Sequence, residues 1–435
     1  MPPPVLPEAA CDRGSLIVRP AHHSYPVSII ILALRAVLEA AASFRATSTL
    51  LEILGGLFPQ FEGSPVANTV QSWLLRIGLH ELQRPKEPAD DWIVFLDHTL
   101  QLGTWKCLVM VGIRQSVWQQ LERPLAHRDL TLLAIVPVEK SDGEHVRRCL
   151  EETMEPIGAP LALVNDEGSD LVKGAELFQQ KHPETQLLND IAHKTALLLK
   201  RELLADPRWE AFTKQCGQSQ PKVKQTELGH LAPPTQKTKA RYMNLDPLIG
   251  WAGKMLRLVD TPLGERPTEC DLSRLDEKFG WIQDFREALG DWADLQAVKN
   301  CGLEYLRVEG YHASAASTLG AQLLAVARTA AGRRMAASAT EFVRQQSQNV
   351  KPGQSLPASS EVLESLIGKG KRLQGQHSRG GFTKMVLGMA ASVVDLTHER
   401  VCEALDSVRW RGSIAVAPGN PWTVARQPAS DRTPR

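Results

Sequence analysis

The sequence predicts a mixed α/β fold, in which a central sheet carries helices on its faces. Three β-rich runs follow one another between residues 91 and 138, and helical and strand patterns then alternate to residue 203. Three consecutive strands followed by βα units are typical of a mixed sheet. After residue 203, strand patterns disappear and apolar residues recur at helical spacings. We therefore expect a sheet domain followed by a long helical domain.

Length, composition and charge limit the class of protein. A chain of 435 residues is long enough for two or three domains. Its net charge of +1 means that any nucleic-acid surface must come from local basic patches. The 7 cysteines show no CxxC pair and no zinc spacing, which indicates reduced thiols. The most apolar run contains Arg35 and Glu39 and is too short to cross a membrane, so we expect an intracellular protein.

Composition divides the chain into six predicted segments. Residues 1–21 and 412–435 lack core-forming patterns and are expected to be flexible tails. Between them lie an N-terminal helical segment (22–86), the sheet region (90–203), the helical domain (204–356) and further helices (357–411). A basic loop is predicted within the helical domain over 212–241, with Lys214, Lys222, Lys224, Lys237, Lys239 and Arg241.

The N-terminal segment contains three short helical patterns. The third begins with a Ser-Pro pair, which predicts Ser64 as the N-cap and Pro65 in the first turn. Polar residues on the outer faces suit a helix-turn-helix-type DNA-binding module. A plain helical bundle packed on the next domain explains the same pattern equally well. The polar residues concerned are Arg45, Gln71, Arg76 and His80.

Asp97 stands inside the first β-run, in the segment Ile-Val-Phe-Leu-Asp. A carboxylate in so apolar a strand must be paired, bound to a metal or protonated. Strand alternation predicts that Asp97 shares a face with Phe95, while His98 points the other way. The alternative is an ordinary aspartate that caps a turn at a strand end.

Asp166 directly ends a second strand pattern, in the segment LALVNDEGSDL. Active sites in sheet proteins with helices on their faces collect where strands end. Glu167 and Asp170 are local rivals for the same role. A turn aspartate, favoured by the following Gly168, is the alternative.

Asp190 and His193 form a D-x-x-H motif where a strand meets a helix. The pair could supply half of a metal site. A structural role, with Asp190 as the helix N-cap, is the alternative.

Glu361 and Glu364 share one face of a predicted helix, because residues three apart are neighbours. Glu361 has a sufficient explanation as a first-turn acid after a serine N-cap at 359 or 360. Glu364 lies deeper among leucines and needs another reason. The basic residues that follow could form a solvated face or contact a phosphate backbone, and include Lys369, Lys371, Arg372, Arg379 and Lys384.

Three carboxylates of this kind suit phosphoryl transfer with two divalent metals. One metal activates the attacking oxygen, and the other stabilises the leaving oxygen. Mg²⁺ prefers oxygen ligands and keeps waters, so neither cysteine nor histidine is needed.

The ordered set of these segments resembles the bacterial DDE transposases of insertion sequences, over roughly residues 25–410. The segments are IVFLDHTLQLG, LALVNDEGSDL, LLNDIAHKTALLLKREL, KARYMNLDPLIGWAGKML and SSEVLESLIGKGKRL. The resemblance implies an RNase H-like catalytic core interrupted by an all-helical insertion, in the style of hAT and Mutator-like enzymes. The D-x-x-H pair matches the C/D-x-x-H motif of those families.

The resemblance also implies roles for single residues. Asp97 corresponds to the first acid, on the first strand, and Asp166 to the second, after the fourth strand. Glu364 corresponds to the catalytic glutamate, because Lys371 follows seven positions later, as in several insertion-sequence families. Glu361 is the fallback. The Tyr and Arg of the Y-R-E-K signature are replaced by Pro357 and Ser360, and the subfamily therefore stays open.

The function implied is a DNA transposase that cleaves transposon ends and joins the 3′-hydroxyl to target DNA. Asp97, Asp166 and Glu364 would hold two Mg²⁺ ions, or Mn²⁺ as a substitute, with Asp190 and His193 in support. The terminal inverted repeats would be bound by Arg45, Gln71, Arg76, Lys369, Lys371 and Arg372. We expect a homodimer or a higher oligomer. We also expect it to act in the bacterial cytoplasm, on the nucleoid. The alternatives are an RNase H-like nuclease without strand transfer and an inactive DNA-binding regulator.

Overall fold

The computed structural model describes residues 18–58, 63–102, 105–235, 245–262, 265, 272–375, 382–408, 414–416 and 424–426. These fall into two compact units. The first comprises the described parts of Met1–Arg114, Leu125–Leu187 and Glu361–Arg435, and the second comprises those of Gln115–Pro124 and Leu188–Ser360. The predicted tail residues 1–17, the basic residues Lys237, Lys239 and Arg241, and Arg379 lie outside the described residues.

A five-stranded mixed sheet lies at the centre of the first unit. The strands are β1 (Trp92–Leu102), β2 (Trp105–Arg114), β3 (Thr131–Val138), β4 (Ala162–Asn165) and β5 (Gln186–Asn189). Their order in the sheet is β3-β2-β1-β4-β5. Strand β1 pairs antiparallel with β2 and parallel with β4. The predicted mixed α/β class and the succession of strands are confirmed.

Two helices cover one face of this sheet, namely α5 (Gly143–Met154) and α6 (Ser169–Lys181). Alternate residues of β1, namely Trp92, Val94 and Leu96, pack with both helices in one hydrophobic core. The period of two along β1 therefore assigns its even-numbered residues to this face. Asp97 and Phe95 belong to the opposite face.

Six helices of the first unit pack outside that core. They are α1 (Val27–Leu38), α2 (Phe44–Leu57), α3 (Ala67–Gln83), α14 (Glu361–Gly375), α15 (Phe382–Ala391) and α16 (His398–Ser407). The first three share a second hydrophobic core with residues of the last three, such as Leu373, Ala391 and Val401. Helix α14 also packs against β1. Two strands near the C-terminus, β8 (Ile414–Val416) and β9 (Val424–Arg426), pair antiparallel within the predicted tail.

The second unit is built mainly of helices. Its α-helices are α4 (Gln115–Trp118), α7 (Ile191–Leu204), α8 (Pro207–Lys224), α9 (Asp246–Asp260), α10 (Leu272–Phe279), α11 (Arg286–Glu309), α12 (Ala315–Val326) and α13 (Ala330–Gln346). Buried aromatic rings, including Trp209, Phe212 and Trp292, pack against one another in edge-on and tilted arrangements within it. Strand pairing was not expected in this region, yet β6 (Tyr311–His312) and β7 (Ser355–Leu356) pair over two residues each.

Two local predictions are wrong. The loop expected from residue 212 is helical as far as Lys224, because Asp206 caps α8, Pro207 opens it and buried Phe212 and Cys216 hold its inner face. Its glycine and Pro221 hide this pattern in the sequence.

Ser64 is not the N-cap of α3, which begins at Ala67 after Val66. The Ser64 hydroxyl instead donates to the backbone oxygen of Ser48 in α2. Among the described residues, no helix combines the length and apolar character needed to cross a membrane.

Helices α3 and α15 approach so closely that Gly78 leaves no room for a side chain. A Cβ atom at this position would lie 1.9 Å from the backbone oxygen of Leu387. We expect Gly78→Ala to lower the free energy of unfolding by about 1–3 kcal/mol, the usual cost of overpacking. Denaturant unfolding followed by circular dichroism measures the change.

Gly368→Ala is the matched control, because Gly368 lies within α14 of the same unit and a Cβ atom added there would meet nothing within 4 Å. Alanine favours helices, so this variant should be more stable by up to about 1 kcal/mol. Equal effects of the two substitutions would contradict the close approach at Gly78.

Candidate functional site

Asp97 lies on β1, where it is half-buried and pairs across the sheet with Val109 of β2. Burial raises the pKa of Asp97 to about 8, and the negative charges of Asp166 and Glu364 add to the rise. A hydrogen bond with the His98 backbone and the positive charge of Lys371 oppose it. The structure thus brings three other residues predicted for the site, namely Asp166, Glu364 and Lys371, within electrostatic reach of Asp97.

Asp166 follows the last residue of β4 in a tight loop. Its Oδ1 accepts a hydrogen bond from the backbone N–H of Gly168 at 3.0 Å, and Oδ1 of Asn165 accepts one from Glu167 at 3.1 Å. Glu167 has a φ of 65°, a left-handed conformation that costs a non-glycine residue free energy. Asp166 therefore makes the predicted turn contact, and its negative charge also raises the pKa of Asp97.

Asp170, a rival of Asp166 in the sequence, is engaged elsewhere. Its Oδ2 lies 2.8 Å from Nε2 of His98, and hydrogen bonds from Ser141 and His98 lower its pKa against the opposing effect of burial. Asp170 therefore belongs to the face of the sheet that carries α5 and α6. This separates it from the face of Asp97.

The two glutamates of α14 also differ in their surroundings. The helix begins at Glu361, directly after Ser360, so Glu361 occupies the first turn as predicted. Glu364 is half-buried between the buried residues Leu363 and Leu366 and the exposed Ser365. Glu364 is the glutamate whose negative charge is among the main causes of the raised pKa of Asp97. Both glutamates lie in the first turn of α14, so their surroundings rather than their depth along the helix distinguish them.

Asp190 belongs to the second unit and is completely buried. Its Oδ1 accepts a hydrogen bond from the backbone N–H of Ala192 at 2.6 Å and caps α7. Its Oδ2 accepts from the backbone N–H of Ser360 at 3.0 Å and from the Ser360 hydroxyl. These contacts match the structural alternative for the D-x-x-H motif and fix the residue that precedes Glu361. His193 lies half-buried in the first turn of α7.

The basic residues of α14 point in different directions. Lys371 is exposed and acts on Asp97 with its positive charge. Lys369 is half-buried, and burial lowers its pKa, as does the charge of Arg372. It lines a cavity of about 330 Å³ together with Arg35, Leu38, Glu39, Ala126, His127, Arg128, Ser392, Val394, Asp395 and Leu396. Burial and Lys369 together lower the pKa of His127 to about 4, so this histidine is neutral at pH 7.

The predicted DNA-binding residues of the N-terminal helices are unequally accessible. Arg45 is exposed on α2, and Gln71 is half-buried on α3. Arg76 is also half-buried, and its Nη1 lies 2.9 Å from Nε2 of His23. Its Nε is buried without a hydrogen bond in the described part of the chain. Arg45 is thus the most exposed of the three.

The donor set suits a hard divalent cation. Asp97, Asp166 and Glu364 offer only carboxylate oxygens, which Mg²⁺ prefers, and a bound cation would relieve the negative charge that raises the pKa of Asp97. Yet no group of three His, Cys, Asp or Glu side chains in the described ranges is arranged to hold a metal ion as it stands. Asp166 and Glu364 act on Asp97 without forming a preformed cage with it, so water would have to complete the ligand set.

The fold and site define a mixed α/β protein with acidic residues grouped around Asp97 on the central strand of the sheet. No family profile and no curated protein sequence matches the chain. One solved structure with partial similarity is the Drosophila P element transposase strand transfer complex. The TM-score is 0.36 at 9% identity, over 85% of this chain and 92% of that chain. This TM-score is too low to establish a shared fold.

Sequence reasoning missed one group of interacting residues, formed by Ser141, His98 and Asp170. Alternation along β1 showed that His98 points away from Asp97, but no local pattern connects it with residues on two later helical segments. The only signal in the sequence was a histidine directly after the candidate acid.

The raised pKa of Asp97 predicts how stability depends on pH. A carboxyl whose pKa is about 8 in the folded state and near 3.8 when unfolded binds its proton more tightly in the folded state. The contribution of this carboxyl to the free energy of unfolding is therefore most favourable below about pH 4, and it falls as the pH rises towards about 8. Asp97→Asn should remove this loss, and thermal melts at pH 5 and pH 8 should show a larger gain in Tm at pH 8.

Asp90→Asn is the control, because it removes an exposed carboxylate just before β1. It should change the Tm by a similar small amount at both pH values. If Asp97→Asn behaves like this control, the carboxyl of Asp97 is not in the crowded environment described.

Proposed function

We propose that this protein is a DNA transposase of the DDE type, with an RNase H-like core that is interrupted by the helical second unit. Asp97, Asp166 and Glu364 are the catalytic carboxylates in this proposal. The bacterial insertion-sequence character and action in the cytoplasm are part of the same proposal. The reaction would be cleavage at the transposon end, followed by joining of the freed 3′-hydroxyl to target DNA.

One observation carries the proposal. The negative charges of Asp166, at a strand end, and of Glu364, on a helix far along the chain, both act on Asp97 within β1, and the positive charge of Lys371 acts on the same group. Structural ion pairs combine opposite charges, whereas this cluster concentrates like charges at a cost in free energy. Such concentration is characteristic of sites that bind cations or shift pKa values for catalysis.

The carboxylates would hold two Mg²⁺ ions, which supply activation of the attacking oxygen and stabilisation of the leaving oxygen. Without a cation, Asp97 keeps its proton at neutral pH, since its pKa is about 8. Asp97 must release this proton to act as a ligand. The turn at Gly168 orients Asp166, and the rigid helix α14 presents Glu364 and Lys371 together.

DNA is the partner in this proposal, as both terminal inverted repeat and target. Lys371 lies exposed beside the carboxylates, where an ammonium group can pair with a phosphate of the scissile strand. Lys369 and Arg372 on the same helix, and Arg45, Gln71 and Arg76 on the N-terminal helices, would bind further along the DNA. Two ends must be joined in one complex, which favours a dimer or a higher oligomer.

Single substitutions of the three carboxylates test catalysis. With purified protein, Mg²⁺ or Mn²⁺, and DNA carrying the inverted repeats that flank the gene, the wild type should nick the ends and form joined products. Asp97→Asn, Asp166→Asn and Glu364→Gln should each reduce cleavage by at least about 100-fold, because electrostatic groups at a reacting centre act on this scale. End binding in gel-shift assays should persist.

Glu361→Gln is the matched control, since it removes one charge three residues earlier on the same helix. It should keep cleavage within about threefold of the wild type. Loss of activity in Glu361→Gln with retention in Glu364→Gln would reverse the assignment. Cleavage without joined products would identify a nuclease, and end binding without cleavage an inactive regulator.

The salt dependence of DNA binding tests the role of Lys371. If its ammonium group contacts one phosphate, Lys371→Ala should reduce the slope of log K against log salt by about 1. Lys351→Ala, which removes an exposed lysine of the second unit, should leave the slope unchanged. Equal slopes for the wild type and Lys371→Ala would exclude a phosphate contact at this position.

A further inference from the structure

The backbone ladder between β1 and β4 ends before either candidate aspartate. The parallel register runs from Ile93 opposite Ala162 to Phe95 opposite Val164. Asp97 and Asp166 each lie two residues beyond the last of these pairs. The ladder therefore places the two segments side by side, whereas contacts beyond it must hold the two carboxyls in position.

A side-chain cluster bridges the two segments just beyond the ladder. His98 directly follows Asp97, and its Nε2 lies 2.8 Å from Oδ2 of Asp170, in the first turn of α6. Oγ of Ser141, two residues before α5, lies 3.0 Å from the same nitrogen. A carboxylate can only accept, so Nε2 carries the proton and donates to Asp170. Nδ1 is buried and makes no hydrogen bond among the described residues.

The frame around this cluster has little freedom to move. Helices α5 and α6 approach so closely that a Cβ atom at Gly174 would lie 2.4 Å from Cβ of Val146. The side chains of His98 and Asp170 are only 14% and 23% exposed, which limits exchange of their contact with water. Oδ1 of Asp170 accepts from the backbone N–H of Leu171, which holds the carboxylate against the helix.

We infer that His98, Asp170 and Ser141 form a latch that positions Asp97 relative to Asp166 from the opposite face of the sheet. This inference rests on the proposed function. His98 is a positioning residue in it and touches neither metal nor DNA. The latch links the residue after Asp97 to the helix that follows the Asp166 loop, and so replaces the missing rungs of the ladder.

The latch explains how a cluster of like charges keeps its geometry. Repulsion between Asp97 and Asp166 tends to drive β1 and the loop after β4 apart when both are ionised. The hydrogen bond from Nε2 to Asp170 opposes that separation, and hydrogen bonds to a charged group are among the stronger ones in proteins. Residues that orient metal ligands typically affect metal affinity or activity by about 10–100-fold when they are substituted.

Two amide substitutions of His98 give a matched pair. The amide nitrogen of glutamine reaches close to the place of Nε2, whereas that of asparagine reaches only to the place of Nδ1. His98→Gln should therefore keep the contact with Asp170, and His98→Asn should lose it. Polarity is preserved in both variants, and thermal melts identify any variant that does not fold.

Mn²⁺ affinity is the first measurement, made by electron paramagnetic resonance on the full chain without DNA. His98→Asn should bind Mn²⁺ about 10–100-fold more weakly than the wild type, and His98→Gln should bind within about threefold of it. Steady-state cleavage is the second, in which His98→Asn should lower kcat and leave KM for DNA unchanged. Asp170→Ala and the milder Ser141→Ala test the other members of the latch in the same way. If His98→Asn does not fold, these two variants provide the test.

Different outcomes overturn different statements. If the wild type binds Mn²⁺ through Asp97 and cleaves DNA, but His98→Asn and Asp170→Ala match it, the latch is wrong and the proposed function stands. If Gln and Asn at position 98 are equally impaired, the reach of Nε2 is not what matters and the latch is wrong. If Asp97→Asn does not change Mn²⁺ binding, the proposed function fails and the latch fails with it.

Discussion

Strands β1 and β4 run parallel and side by side, and the candidate site depends on this pairing. The last paired residues are Phe95 and Val164, and the candidate aspartates lie two residues beyond them, one still within β1 and the other just after β4. Asp97 and Asp166 are those residues. Helix α14 then packs against β1 and adds Glu364 and Lys371 on the face of Asp97. Without the β1–β4 register, the three carboxyls would have no common location.

The site is built at the expense of stability. Burial and two like charges raise the pKa of Asp97 to about 8, and Glu167 holds a left-handed backbone conformation beside Asp166. Unfavourable features of this kind persist only where the surroundings enforce them. The surroundings here include the tightly packed α5 and α6 and the contact between His98 and Asp170. Asp190, by contrast, satisfies its buried charge with hydrogen bonds from Ala192 and Ser360 and serves the architecture.

Sequence patterns predicted the elements better than their boundaries. The apolar runs that became β1, β2 and β3 are long and rich in β-branched residues, and period-two alternation correctly placed Asp97 and His98 on opposite faces. The patterns were misleading where turn-forming residues occur within or before helices. Pro221 and Gly217 concealed α8, whose stability comes from buried aromatic residues, and Ser64 was taken for a cap although its hydroxyl donates to Ser48.

The sequence by itself singled out the residues that are proposed to carry chemistry. An aspartate in an apolar strand and a glutamate among leucines are costly to bury, and this cost is visible in a single chain. The difference between Glu361 and Glu364 was expected from the serine cap before Glu361, the leucines around Glu364 and, through the family resemblance, the lysine seven residues on. Only the tertiary structure decided that Asp166 rather than Asp170 faces Asp97, and that His98 joins Asp170 and Ser141. The physical reason is that these partners are far apart along the chain. Local periodicity shows which face of a strand or helix a residue occupies, but it does not show which residues of other elements it contacts.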